Sequence, residues 1–486
     1  MEWMGQILSA LYRNMLWVDM IFAIIIVFFE RRSPKSVWAW LLVMVFLPGV
    51  GFIFYLFLGQ DMHKRKMFRI KELEDKLSEA IHIQERQAKS MELEKMDKNL
   101  QGFSDLIYYN LQSSGAVLTD DNDVDIFTDG NDKFEALLED LEQAKSFIHL
   151  EYYIIKKDEL FERIVEVLER KVAQGVEVRV LFDAMGSRTV RHSYWKQLRK
   201  KGIRTAEFFP AILGRFQLRI NYRNHRKIVV IDNKVAYVGG FNVGKEYIDR
   251  DPKFGHWRDT HLRIQGTAVM SLQLRFILDW NYAAKEDLLA EKKLFEGLEL
   301  GKRDQVEMQI VSSGPDNTLE QIRDNYLRLF AKAKEHIYIQ TPYFIPDDTL
   351  LDTLLLAIRS GVEVNLMIPC MQDHPFIYWA TYSYVGELVR AGANCYTYDK
   401  GFLHAKGVCV DGKAFCYGTA NMDIRSFALN FEVNAVVYDK ALAEKMEAIF
   451  REDLKDCTHI TKELYESRSL PIRIKEQFCR LLSPLL

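Results

Sequence analysis

The chain has no surplus of charge of either sign: 65 lysines and arginines stand against 68 aspartates and glutamates, a formal net charge of -3 over 486 residues. That excludes a protein that coats nucleic acid by bulk positive charge and leaves any anion site to be local. Disulfide and zinc scaffolds are missing as well. The six cysteines (Cys370, Cys395, Cys409, Cys416, Cys457 and Cys479) contain no CxxC pair and no repeated ligand spacing, so they read as reduced thiols of a cytosolic domain. Among the eleven histidines there is no H-E-x-x-H, and His256 and His261 read as loop residues, not metal ligands. No small-residue cleavage site follows the apolar N-terminus, which argues against a removed signal peptide. At this length the chain can bury more than one core.

What is present begins with two apolar segments. Val37–Leu58 carries no charge, is long enough to cross a hydrocarbon core as a helix, and has Trp38, Trp40 and Tyr55 toward its ends. Met15–Phe29 is shorter and contains Asp19, so it spans only by borrowing from Ile7–Tyr12 or by lying partly re-entrant. Together they predict an N-terminal transmembrane helical hairpin. Lys64, Arg65, Lys66, Arg69 and Lys71 after it outnumber Arg31, Arg32 and Lys35 within it, which places both ends, and the bulk of the chain, in the cytoplasm. The basic cluster also suits an anionic phospholipid surface. From Asp61 to about Gln101 the chain is charged and nearly free of Gly and Pro, as a helical spacer would be.

Beyond the spacer the sequence repeats. AKSFIHLEYYII at Ala144 returns as AKEHIYIQTPYFI at Ala333, and QGVEVRVLFD at Gln174 as SGVEVNLMIP at Ser360. Apolar strands alternate with amphipathic helical stretches, so each half reads as an α/β unit with a largely buried sheet. Two copies of this length are a duplicated domain, and duplicates commonly pack about a pseudo-twofold axis. Within the repeat, NHRKIVVIDNKVAYVGGFN (Asn224–Asn242) returns as LHAKGVCVDGKAFCYGTAN (Leu403–Asn421). His225 and Lys227 share one strand face, as do His404 and Lys406, while Asp232 and Asp411 fall on the other parity at tight turns. Those two aspartates are expected to fix the hairpins. If the axis passes near the strand mouths, two His-Lys-Asn sets, completed by Asn242 and Asn421, face one cleft.

These residues resemble the phospholipase D superfamily, whose mark is H-x-K-x4-D-x6-G-[SG]-x-N in duplicate, and within it the bacterial cardiolipin synthase branch. The resemblance extends to RRSPKSVWAWLL, PGVGFIFYLFLG, HWRDTHLRIQG, GTANMDIRSFALNFE and the terminal LLSPLL. It departs at Thr419, where serine is usual; the hydroxyl is kept. The resemblance implies two phospholipase D-like α/β/α halves sharing one active site: a membrane anchor over 1–60, a charged linker over 61–120, a first half over 121–300 and a second over 301–486.

It further implies phosphatidyl transfer between two phosphatidylglycerol molecules, giving cardiolipin and glycerol through a covalent phosphohistidine. His225 would attack phosphorus and His404 protonate the departing glycerol oxygen, although the pseudo-symmetry permits the reverse. Lys227, Lys406, Asn242 and Asn421 would meet charge on the phosphate oxygens, with no metal or other cofactor. Asp259 and Glu432 would hold the second ring nitrogens of the histidines. Substrate contacts are expected from Thr419, Arg223, Arg215 and Arg219. The stretch FFPAILGRFQLRIN from Phe208 is either an interfacial segment, through Phe208, Phe209, Phe216 and Leu218, or a buried helix. In the C-terminal stretch, Ile474, Phe478, Leu482 and Leu485 recur at helical spacing beside Arg473, Lys475 and Arg480, ready to dock on protein or membrane. A phospholipase D that uses water as acceptor is the rival reading; a nuclease and a non-enzymatic scaffold fit less well. Self-association is left open.

Overall fold

Ile228–Ile231 (IVVI) and Gly407–Val410 (GVCV) are apolar or small at every position, as a strand covered on both faces requires, and every residue of both is buried. In the computed structural model both belong to one sixteen-stranded sheet that runs through the two halves. The structure describes residues 15, 17, 19–21, 23, 24, 34–51, 53, 55, 98–210, 221–297 and 305–483. At the centre of the sheet Thr119–Phe127 pairs antiparallel with Val306–Ser313. Outward into the first half come His261–Gln265, Val235–Gly239, Ile228–Ile231, Phe147–Tyr152, Glu177–Asp183 and Arg204–Phe208. Outward into the second come Asn430–Val437, Ala414–Gly418, Gly407–Val410, His336–Gln340, Glu363–Pro369 and Asn394–Tyr398, with Cys457–His459 added at the edge. The two orders match strand for strand, which is the expected pseudo-twofold relation.

Helices cover the sheet at matching places. Glu159–Ala173 starts at Asp158, whose carboxylate accepts from the N–H groups of Leu160 and Phe161, and Asp348–Arg359 starts at Asp347, which accepts from Leu350. Two short strands cross between the halves. Arg223–Asn224 runs parallel to Asn430–Phe431, and Gly401–Leu403 runs parallel to His256–Arg258. Each exchange ends one residue before a motif histidine, so the crossing sets where that histidine points. All six cysteines are free thiols.

Several expectations need correction. His256 and His261 are not loop residues: they open the strands His256–Arg258 and His261–Gln265, and His261 is buried. Of the four residues that could have formed an interfacial segment, Phe208 and Phe209 are buried with Phe431 and Tyr282 in the core, and Phe216 and Leu218 lie outside the described residues. Val37–Leu58 is not one helix. The helix Pro34–Phe46 stops ahead of Pro48, which cannot donate a backbone hydrogen bond, and Gly49 adopts φ 75°. The Gly49 N–H donates to Asp19 Oδ2 at 2.9 Å, so the acid that weakened the first segment as a span caps the break in the second. Among the described residues no helix is long and apolar enough to cross a membrane. Most of the spacer lies outside the described residues; its end, Lys98–Gly102 and Ser104–Ser114, packs Leu100, Phe103, Leu106 and Ile107 against Tyr326 and Leu329 of the second half.

Candidate active site

Both motif histidines sit where a crossing strand meets the sheet. The His225 N–H donates to the Phe431 carbonyl at 2.9 Å, and the His404 N–H to the Arg258 carbonyl at 2.7 Å. The side chains then pair across the molecule. His225 Nδ1 lies 2.9 and 3.0 Å from the two carboxylate oxygens of Glu432, in the second half. His404 Nδ1 lies 2.6 Å from Asp259 Oδ2, in the first. Each imidazole is therefore oriented by an acid of the opposite half. An Nδ1 proton donated to the carboxylate leaves the Nε2 lone pair free for chemistry. His404 Nδ1 also has Lys406 Nζ 2.7 Å away; the carboxylate takes the ring proton because it is the acceptor, and the ammonium donates to the His404 carbonyl.

Burial dominates the electrostatics. It lowers the pKa of His225 to about 4, with Lys227 and Lys406 adding to the effect against Glu432, and that of His404 to about 3, with Lys406 adding to it against Asp259. Both rings are thus neutral. Burial also lowers Lys227 to about 7, helped by Lys406, and Lys406 to about 8. Asp259 and Glu432 stay below their ordinary values: burial pushes each up, but Lys406 and His404 around Asp259, and His225 and Lys227 around Glu432, outweigh it. Lys406 acts on His225 and Lys227 on His404, so the two motifs form one electrostatic site.

The other predicted residues divide. Lys227 Nζ donates to the His225 carbonyl at 2.6 Å and is fully buried. Asn242 Oδ1 accepts from the Ile154 N–H at 3.0 Å while its Nδ2 donates to Tyr247 Oη at 3.2 Å, which fixes a neighbouring loop and leaves one amide hydrogen. Asn421 Oδ1 is buried without a partner. Thr419 accepts from the Val433 N–H at 2.9 Å and supports the Glu432 carboxylate. Asp232 and Asp411 are not in the cleft. Each has φ 52° and accepts three consecutive backbone N–H groups, those of Lys145, Ser146 and Phe147 for Asp232 and of Lys334, Glu335 and His336 for Asp411. They anchor the hairpin to the strand alongside it. Arg215 and Arg219 lie outside the described residues.

Sequence reasoning missed several neighbours. Tyr153 stands edge-on to His225 with ring centroids 4.8 Å apart, and Trp257 lies 5.1 Å from His404. Asp183 accepts from the Asn224 N–H at 2.9 Å, and burial raises its pKa to about 6. Arg425 holds Asn221 by two hydrogen bonds of 2.8 and 2.7 Å. It also feels the charge of Arg223, whose Nη1 donates to the Tyr222 carbonyl. Arg425 lies in GTANMDIRSFALNFE, a stretch that carries the family resemblance, and Tyr153 in the repeated EYYII; neither stretch carried a signal of which side chains would turn inward.

The family described as "Cardiolipin synthase, PLD-like domain" matches residues 137–254 and 326–454, and "Phospholipase_D-nuclease N-terminal" matches residues 20–60. The chain is 49% identical to the major cardiolipin synthase of Bacillus subtilis over 474 residues, covering 96% of this chain and 97% of that one. It is 48% identical to a cardiolipin synthase of Oceanobacillus iheyensis, covering 96% of each. Its fold is similar to the crystal structure of phosphatidylserine synthase from Haemophilus influenzae, with TM-score 0.59 and 15% identity over 80% of this chain and all of that one.

Proposed function

The chain belongs to the cardiolipin synthase family of phospholipase D-like phosphatidyltransferases, and from that premise we propose that it joins two phosphatidylglycerol molecules into cardiolipin and releases glycerol. The observation that carries the reading is the crossed pairing of His225 with Glu432 and His404 with Asp259. Two neutral imidazoles, each with a proton held on Nδ1, are suited to attack on phosphorus and to proton transfer. We assign attack to His225 Nε2: its bond to phosphorus forms as the bond from phosphorus to the glycerol oxygen breaks. His404 gives that oxygen a proton. A neutral His404 lacks this proton, and the anionic phosphodiester supplies the negative charge that favours its uptake. His404 then accepts a proton from the hydroxyl of the second phosphatidylglycerol, whose oxygen displaces His225. Lys227 and Lys406 neutralise the phosphate oxygens during both transfers, the role a metal ion fills elsewhere.

The acceptor is a lipid, so the site has to work at a bilayer. The C-terminal helix Leu470–Leu481 supports this. It docks on the protein through Glu476 and Cys479, and Leu470, Ile474, Phe478 and Leu481 stay exposed, with Arg473 and Lys475 among them. An apolar stripe beside basic residues suits an anionic lipid surface. With the apolar N-terminus it would hold the catalytic halves on the cytoplasmic leaflet. Purified protein incubated with labelled phosphatidylglycerol should give cardiolipin and an equal amount of glycerol. Phosphatidic acid as the main product would replace this reading with hydrolysis.

A further inference from the structure

Beneath each histidine lies an arginine–aspartate pair. Arg226 Nη1 sits 2.7 and 2.5 Å from the oxygens of Asp279, and its Nε donates to the Glu432 carbonyl at 3.2 Å. Arg258 Nε sits 2.9 and 3.0 Å from the oxygens of Asp453, and its Nη1 donates to the Asp259 carbonyl. Asp279 and Asp453 occupy the matching helices Ala268–Ala284 and Lys440–Asp453, which follow the strands that begin near the two acids. In the second half a neutral donor completes the arrangement: Gln340 Nε2 donates to Asp453 Oδ2 at 2.8 Å, while its Oε1 accepts from Tyr417 Oη at 3.0 Å.

The repeat AKSFIHLEYY against AKEHIYIQTP puts Glu151 where Gln340 stands. Glu151 Oε1 accepts from Asn224 Nδ2 at 2.6 Å, as Gln340 Oε1 accepts from Tyr417. Its other oxygen, Oε2, is fully buried without a donor. That atom takes the place of the Gln340 amide nitrogen, which is a donor. We propose that Glu151 is a proton-carrying neutral acid that donates from Oε2 to Asp279, the first-half counterpart of Gln340, and so positions the Arg226 brace under Glu432 and, through Asn224, the backbone leading into His225.

Charge counting agrees. Arg226 and Arg275 are balanced by Asp279 and Asp316, whereas an ionised Glu151 would add a third anion to the group. The groups facing it are Arg226, Asp279 and Arg275, with Asp316 beyond Arg275 and Asp183 reached through Asn224. Burial and then Asp279 raise the Glu151 pKa well above 4.5, against the pull of Arg226. The native state therefore keeps a proton that the unfolded chain releases above that value, and wild-type stability falls as pH climbs from 4.5 toward the folded pKa.

The test is Glu151→Gln in the full chain, which needs no assumption about the lipid acceptor. A glutamine donates as the protonated acid does, so the variant should fold, keep kcat within about twofold, and gain melting temperature over wild type progressively from about pH 5 to about pH 8. The wild-type minus variant infrared difference spectrum should contain a protonated-carboxyl C=O band at neutral pH. An ionised Glu151 paired with Arg226 predicts the opposite: no such band, and a variant that is less stable at neutral pH or fails to fold. Either of those results overturns the proposal.

Discussion

The brace under His225 uses Arg226, the next residue of its own motif, whereas the brace under His404 uses Arg258, which stands beside Asp259 in the opposite half. The motif position of Arg226 is Ala405 in the second half, and the position of Arg258 is occupied by Phe431. The Arg226 guanidinium lies over the Phe431 ring at 5.2 Å. Duplication has thus kept a buried cation against each acid's carbonyl while the strand that supplies it has changed. Volume and charge are what the fold needs at that point; the residue delivering them can come from either side.

The largest expected effect breaks the functional equivalence of the two histidines. His225→Ala should be inactive toward every phosphatidyl donor, because no covalent intermediate can form. His404→Ala retains the nucleophile but not the acid, so phosphatidylglycerol should fail while a nitrophenyl ester, whose leaving group needs no proton, gives one burst of nitrophenol and traps phosphate on His225. Mass spectrometry under alkaline conditions locates the adduct. An adduct on His404 in the His225→Ala protein reverses the two roles.

The next effect separates the two braces. Removing Arg226 leaves Asp279 without its guanidinium partner at a position wholly shielded from water, so Arg226→Ala should cost about 3–5 kcal/mol in denaturant unfolding. Arg258→Ala leaves Asp453, whose side chain is 12% exposed and open to water, so the loss should be smaller, about 1–3 kcal/mol. Equal losses would mean that solvent does not relieve Asp453.

Much of this asymmetry was beyond the reach of the sequence, for reasons that lie in particular residues. Strand parity and spacing are local, and they placed His225 with Lys227 and set Asp232 apart from the cleft. Which acid meets which histidine depends on Arg223–Asn224 joining Asn430–Phe431 and Gly401–Leu403 joining His256–Arg258. Those contacts span more than a hundred residues and involve strands too short to have a pattern. Arg226 and Arg258 were readable as charges, but nothing in H-R-K or W-R-D tells a buried brace from a surface ion pair. The break at Pro48–Gly49 was legible in principle, since Pro-Gly marks a turn; the apolarity of Val37–Leu58 outweighed it because hydropathy carries no information about helix continuity.

A third prediction uses the lysines. Phosphate binding needs both ammonium groups charged, and burial lowers Lys227 to about 7 and Lys406 to about 8. As pH rises through the lower value Lys227 loses its proton first, so kcat/KM should fall by about tenfold or more between about pH 7.5 and about pH 9. Lys227→Arg stays charged and should move that limb upward by about one unit, to the value set by Lys406, while Lys406→Arg leaves it where it is. The pH profiles of both variants check this, and identical limbs would show that one titration governs both lysines.

The smallest effect concerns a position where the halves differ by a whole side chain. Gly240 has no room for one: a Cβ there would lie 1.8 Å from Asp259 Oδ1. At the matching place Thr419 fits: its hydroxyl accepts from the Val433 N–H at 2.9 Å, and its single hydrogen is shared between the Glu432 carboxylate and the Val433 carbonyl, which lies 3.2 Å away. Thr419→Ser keeps that hydroxyl and removes one buried methyl, so it should lower stability by about 1 kcal/mol and leave kcat within about twofold. Thr419→Val keeps the volume and removes the hydroxyl. The Val433 N–H is then buried without an acceptor and Glu432 loses a supporting donor, so stability should drop by about 1–3 kcal/mol and kcat should fall with it. Denaturant unfolding and initial rates on the two variants separate the methyl from the hydroxyl. A valine variant as active as the serine one would show that Glu432 is held by His225, Lys227 and Asn430 without help from Thr419.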